Sequence, residues 1–234
     1  GKKPFVFTAG AFLAYRSMEF IRDDVCFQNL NVKIIGMGSG LSWSSLGPTH
    51  HTTEDISVLR AIPNLMILSP ATPRQVAACV QTAYEYDGPV YIKIGMNHEK
   101  EYFKDGYVHD VKKSDCLRDG KNIAVFVTGS ILDEAMKACE MLEQNGISVK
   151  LINVTTIKPF NENEVLDIVK QIQKIAVIEE HNIYGGLASI ISETIAYNGL
   201  NARVIPIGLN DTFAGGYGTH AMVRKVNQLD SISI

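Results

Sequence analysis

The sequence predicts an α/β protein made of two doubly wound α/β domains with mostly parallel sheets. Three observations carry this. Eight short apolar runs, mostly β-branched, recur along the 234 residues. Segments of helical period separate most of them. A polar stretch divides the runs into two groups of four. Continuous apolar strands that alternate with helices belong to parallel sheets covered on both faces.

The first group is Pro4–Phe7, Val32–Ile35, Leu65–Leu68 and Val90–Ile94. The second is Ile123–Val127, Val149–Ile152, Ile175–Ile178 and Val204–Ile207. Between Arg74 and Tyr86 the pattern places Val76, Val80 and Ala83 on one helix face. Between Ile131 and Gln144 it places Ala135, Ala138 and Leu142 together, and Asn145-Gly146 is a helix stop signal. The dividing stretch is rich in Lys and Asp, and a short hairpin is expected around Lys104-Asp105-Gly106. This organisation gives a first domain over 1–96, a linker over 97–119 and a second domain over 120–234.

Bulk composition excludes several classes. Hydrophobic residues make up 46% and charged residues 20%, which suits a chain that buries a core. The net charge is -3 and the basic residues are scattered, so neither nucleic acid nor an anionic membrane is an expected partner. No apolar run approaches the roughly 20 residues of a membrane span, and no secretory leader is visible. Cys26, Cys79, Cys116 and Cys139 form no CxxC pair and no zinc spacing. They read as small buried hydrophobes in a reducing, cytoplasmic setting. The chain begins at Gly1 and enters an apolar strand almost at once, which reads as the start of a fragment.

The most informative stretch runs from Gly36 to Asp55. A buried strand ends there in a long Gly/Ser-rich loop, the place where α/β sheets put ligand sites. The loop carries Trp43 and closes on His50 and His51. A helix is expected to start at Thr52 or Thr53, with Glu54 and Asp55 suiting the macrodipole of its first turn. Composition and position alone leave two readings of the histidines open, a site role and an ordinary loop role.

Several runs resemble the transketolase family. Gly47-Pro48-Thr49-His50, Glu54-Asp55-Ile56, Leu59-Arg60-Ala61-Ile62-Pro63-Asn64 and Ser69-Pro70-Ala71-Thr72 look like its pyrimidine-binding domain. Thr128-Gly129-Ser130, Asn153 to Phe160, Glu179 to Leu187 and Gly208 to Phe213 look like its C-terminal domain. The resemblance covers nearly the whole chain. It implies a thiamine-diphosphate-dependent transferase that moves a two-carbon unit from a ketose-like donor to an aldehyde acceptor. It also implies that the diphosphate and its magnesium are bound by an N-terminal half. No Gly-Asp-Gly run with a following Asn at metal-site spacing is present, so no metal site is expected on this chain. The family's activating glutamate lies just upstream of the opening strand. The same plan implies a homo-oligomer contact through both domains. A β subunit of a 2-oxo acid dehydrogenase shares the architecture, and a non-catalytic partner subunit is a further reading. The Leu59–Asn64 run and the Gly208-Leu209-Asn210-Asp211-Thr212-Phe213 run favour transketolase.

The resemblance also assigns residues. The family follows its opening strand with three aromatics spaced three apart, and those positions are Ala9, Phe12 and Tyr15. Phe12 and Tyr15 are the expected wall for the cofactor ring, although their spacing equally describes core-facing helix residues. His50 matches the histidine near the reacting carbon, a residue suited to proton transfer. His51 and Trp43 are secondary substrate candidates. Gly38, Leu46 and Met96 stand where the family has a histidine, an acid and a phosphate-binding arginine. Those departures predict a substrate without a terminal phosphate, or a degenerate subunit. His181 is expected to be structural, and His98, His109 and His220 are expected on the solvated surface. The Gly185-Gly186 and Gly215-Gly216 pairs resemble phosphate loops only superficially, and the family uses the first as a tight start to a helix.

Overall fold

All eight apolar runs become strands. A computed structural model describes residues 1–234. The first half holds β1 (Phe5–Ala9), β2 (Lys33–Met37), α1 (Asp55–Leu59), β3 (Met66–Leu68), α2 (Pro73–Glu85) and β4 (Val90–Ile94). Two short π-type helical segments, Phe12–Arg16 and Phe20–Cys26, lie between β1 and β2. The second half holds β5 (Asp115–Arg118), β6 (Ile123–Thr128), α3 (Leu132–Gln144), β7 (Val149–Asn153), β8 (Thr156–Lys158), α4 (Glu162–Val169), β9 (Lys174–Asn182), α5 (Leu187–Tyr197), β10 (Arg203–Leu209) and α6 (His220–Val226).

Two five-stranded sheets result, ordered β1-β2-β4-β3-β8 and β10-β9-β6-β7-β5. Each is parallel except for one antiparallel edge strand, β8 in the first and β5 in the second. Both faces of the first sheet are covered. On one, Cys79 and Ala83 of α2 pack on Met66, Leu68, Val90 and Ile92. Thr72 caps that helix by accepting from the Gln75 amide, and Pro73 occupies the first turn. On the other face, Ile34, Ile67 and Tyr91 join a cluster that continues into Phe126, Val177 and Ile191 of the second sheet unit. One apolar core therefore crosses between the halves. Burying each such large side chain contributes about 1.5–3 kcal/mol.

Four expectations are corrected. Lys104-Asp105-Gly106 forms a single turn, closed by Tyr107 N donating to Lys104 O at 3.3 Å, and no hairpin follows it. Asp115–Arg118, expected as linker, is an edge strand on β7. Thr156–Lys158, inside the stretch assigned to the second domain, pairs with β3 and extends the first sheet. Three residues are too few to show a period, so this crossing was not legible from pattern. Cys116 is exposed while the other three cysteines are buried, because it sits on that β5 edge.

His109 and His98 part company. His98 is exposed, as expected. His109 is buried, and its Nε2 lies 3.0 Å from Thr156 Oγ1 beside the crossing strand. Burial depresses its pKa below the usual histidine value.

Candidate active site

The loop after β2 is closed at its neck. Thr52 N donates to Gly40 O at 2.9 Å, and Ser39 N donates to Ile94 O at 2.8 Å at the end of β4. Between these ties the chain needs left-handed backbone at Gly38 and Gly40, with φ of 80° and 57°. Gly38 is required twice over. A Cβ there would fall inside the Trp43 indole, whose Nε1 donates to Met37 O at 3.3 Å. The indole thus fills the space that a side chain at position 38 would take.

Three of the predicted residues come together. The His50 ring lies edge-on to Phe12 at 5.0 Å and to Trp43 at 6.3 Å between centroids. Its Nδ1 is 2.9 Å from Thr49 Oγ1. Phe12 remains 44% exposed, which leaves an aromatic surface beside the imidazole. Tyr15 is on the same helical segment but is engaged differently. Its hydroxyl donates to Glu54 Oε2 at 2.7 Å and accepts from Glu54 N at 3.0 Å. Desolvation, followed by the Asp55 and Glu54 carboxylates, pushes that phenol well above its usual range, so the hydroxyl keeps its proton while it both donates to and accepts from Glu54.

His51 is placed apart from His50. It is only 3% exposed, and neither ring nitrogen has a partner. Burial lowers its pKa, which keeps the ring neutral. Ser42 Oγ and Thr52 Oγ1 on the same loop are also buried without partners. Buried polar atoms usually find a partner, and four without one lie on this single loop.

Beneath the loop lies an ion pair that sequence reading missed. Lys93 Nζ sits 2.5 Å from Asp55 Oδ1 and donates to Thr52 O at 2.8 Å. Tyr91 donates its hydroxyl to Asp55 Oδ2 at 2.7 Å. Asp55 is turned inward, and α1 begins at Asp55 instead of at Thr52 or Thr53. A lysine inside an apolar strand, Tyr91-Ile92-Lys93-Ile94, was the available signal, since such a charge needs a buried partner.

His220 is also corrected. It is no surface residue: its Nε2 meets Glu180 Oε1 at 2.9 Å at the seam between the two sheets. Burial alone would raise the Glu180 carboxyl. Arg224 and His220 reverse that effect and hold it well below the usual carboxylate range. Neighbouring Glu179 caps α5 by accepting from the Leu187 and Ala188 amides at 2.8 and 3.0 Å. Gly186 leaves room for that carboxylate, which gives the Gly185-Gly186 pair its helix-start role. His181 is buried between Ser57 and Asn182, in a structural setting. No group of three or more His, Cys, Asp or Glu side chains is placed to hold a metal ion.

Fold and loop together define a class: a paired α/β unit that presents an aromatic–histidine cluster at the carboxyl end of a parallel sheet. Comparison with known proteins narrows it. The transketolase pyrimidine-binding domain model matches residues 1–97, and the transketolase C-terminal domain model matches residues 112–230. The chain is 35% identical to one of the subunits of the apulose-4-phosphate transketolase of Actinobacillus succinogenes, over 100% of this chain and 75% of that protein. It is 34% identical to a putative transketolase C-terminal section of Methanocaldococcus jannaschii, over 100% of this chain and 73% of that one. A solved structure described as a split gene transketolase in an inactive beta4 tetramer superposes with a TM-score of 0.91 at 30% identity, covering 100% of this chain and 74% of that chain. This chain belongs to the transketolase family, whose enzymes depend on thiamine diphosphate, and corresponds to the C-terminal part of such an enzyme.

Proposed function

We propose that the chain is the C-terminal subunit of a split transketolase that transfers a two-carbon unit from a ketose-like donor to an aldehyde acceptor, with a separate N-terminal section. The observation that carries this reading is the Phe12–His50–Trp43 cluster on a loop rich in unpartnered polar atoms. An exposed aromatic edge fits one face of a flat heteroaromatic ring. Phe12 would hold the aminopyrimidine of thiamine diphosphate, and Tyr15 would fix the end of the same wall through Glu54. The chemistry that this cofactor supplies when bound is that of a carbon nucleophile and electron sink. Magnesium and the diphosphate belong, in this reading, to the N-terminal section.

The chain's own residues orient and move protons. His50 is held by Thr49 and flanked by two rings, so its imidazole is directed while remaining half exposed. That suits proton transfer at a donor hydroxyl or carbonyl oxygen. Leu46 and Met96 are exposed and apolar, and Trp43 spends its one donor on Met37. In this reading these side chains lie on the substrate side and favour an apolar, less hydroxylated portion of substrate. The relative from Actinobacillus succinogenes is named for a phosphorylated substrate; on this chain, recognition of such a group would fall to residues of the N-terminal section.

Calorimetric titration tests the reading. Thiamine diphosphate with magnesium should bind the assembled pair and not this chain alone. Phe12→Ala in the assembly should weaken binding several-fold, in line with roughly 1 kcal/mol for an aromatic contact. Micromolar binding by the chain alone would overturn the dependence on a partner. Normal binding without transfer from any ketose to any aldehyde would show a non-catalytic subunit.

A further inference from the structure

Glu180 belongs to the second sheet, yet its carboxylate serves the loop of the first. Its Oε2 accepts the Leu41 amide at 3.0 Å and the Ser130 hydroxyl at 3.3 Å. Its Oε1 takes Arg224 Nε and, at 2.9 Å, His220 Nε2. Arg224 Nη2 donates to Ser130 O at 2.9 Å. The other His220 nitrogen lies 3.0 Å from Asn97 Nδ2, which also reaches Ser42 O at 3.3 Å. Because the Asn97 amide donates to Nδ1, the His220 proton sits on Nε2 and points at Glu180.

The grip extends along the loop. Ser44 Oγ donates to Gly218 O at 2.9 Å, and Gly218 N donates back to Ser44 O at 3.2 Å. Tyr217 fills the space where a side chain at Gly47 would stand. A Cβ on Gly40 would overlap the Glu180 side chain, so the loop backbone is pressed against the carboxylate. From Leu41 to Gly47 the second half of the chain holds the segment that carries Trp43 and leads into His50.

A buried ion pair is weak support for stability as such, since apolar residues of like volume often hold a seam as well. What charge adds here is direction: a carboxylate aimed at one amide of one loop. We propose that Glu180, with Arg224 and His220, is a positioning clamp that sets the geometry of the Trp43–His50 loop from the C-terminal unit. The consequence for turnover rests on the role of His50 proposed above; the consequence for loop geometry does not.

Trp43 is the chain's single tryptophan, so its emission reports the loop directly. Glu180→Gln keeps the side-chain shape and removes the charge. Gly40→Ala disturbs the same contact from the loop side, because its Cβ would push on the Glu180 side chain and its backbone is left-handed. His220→Ala removes the contacts to Glu180 and Asn97 but keeps Arg224 on the carboxylate, and is the mildest of the three. All three should red-shift Trp43 emission and increase its quenching by acrylamide while far-ultraviolet circular dichroism stays native. In the assembled enzyme kcat should fall on the order of 10–100-fold with a smaller change in KM, as misplacement of a reacting group predicts. Arg224→Lys should retain part of the activity. Val165→Ala, in the core away from the loop, should lower thermal stability and leave the emission unchanged. Wild-type emission and quenching in all three clamp variants, or an equal shift in Val165→Ala, would overturn the clamp. A shifted emission with unchanged kcat would uphold the clamp and overturn the role of His50.

Discussion

The seam between the sheets and the outer face of β1 are opposites. At the seam, charged side chains are buried and answered: Lys93 by Asp55, Glu180 by Arg224 and His220. At the outer face, apolar side chains stand in the open. The outer edge of β1 has no neighbouring strand, Phe7 and Phe27 are 69% and 84% exposed, and Val6, Phe12 and Phe20 extend the strip. Large apolar side chains left exposed on β1 and on the two helical segments that follow it suit an interaction surface. The seam reads as an interface already made within the chain. We propose that the outer face is the one against which the N-terminal section packs.

Breaking the seam should have the largest effect. Lys93→Met strands a buried Asp55 carboxylate, and such losses amount to roughly 3–5 kcal/mol. For a chain of this size that lowers Tm by about 10 °C, readable by thermal melting. A change under about 2 °C, the low end of what 1 kcal/mol produces at this size, would show that the pair is not the lock it resembles.

Acid should open the seam more gradually. The folded-state pKa of Glu180 is depressed, so its stabilisation is present above the unfolded carboxylate pKa of about 4.3 and is lost as pH falls below it. His51 works in the same direction. Its folded pKa is lowered, so acid favours the unfolded state below about pH 6.5. Urea titrations between about pH 7 and pH 2, a window that runs from above the unfolded histidine value to well below the unfolded carboxylate value, should show stability falling with acid. The loss below about pH 4.5 should shrink in Glu180→Gln. An unchanged acid limb in that variant would relieve Glu180 of the role.

The outer face should barely register in stability. Phe27→Ser is expected to stay within about 0.5 kcal/mol of wild type, as exposed substitutions do. Sedimentation should show weaker assembly all the same. Full assembly by Phe27→Ser would place the partner elsewhere.

Much of the fold was legible because apolar strands of four or five residues announce themselves. Val90–Ile94 and Ile123–Thr128 are cases where run and strand agree within a residue. The Gly38–His51 loop stood out as a candidate because glycine, serine and histidine cluster there after a buried strand. What escaped was pairing at a distance. Nothing local in the Glu179-Glu180-His181 run says that one carboxylate caps a helix while the next reaches Leu41 across the seam. His220 looked solvated because its partner lies 40 residues away in sequence.

The crossing of Thr156–Lys158 has a consequence for how this polypeptide can be divided. Ile67 and Leu68 pair with Lys158 and Thr156, Ser69 N donates to Thr155 O at 2.7 Å, and Lys158 Nζ donates to the carbonyls of Arg60 and Ile62. A backbone cut within residues 97–119 would fall at the place that looks like a natural joint. It would nevertheless leave one piece without its edge strand and the other with a strand that has nothing to pair with. The two family domains are separable on paper but share an edge: a nick in that stretch should yield two fragments that stay clasped, and separate expression of the two halves should yield neither in folded form.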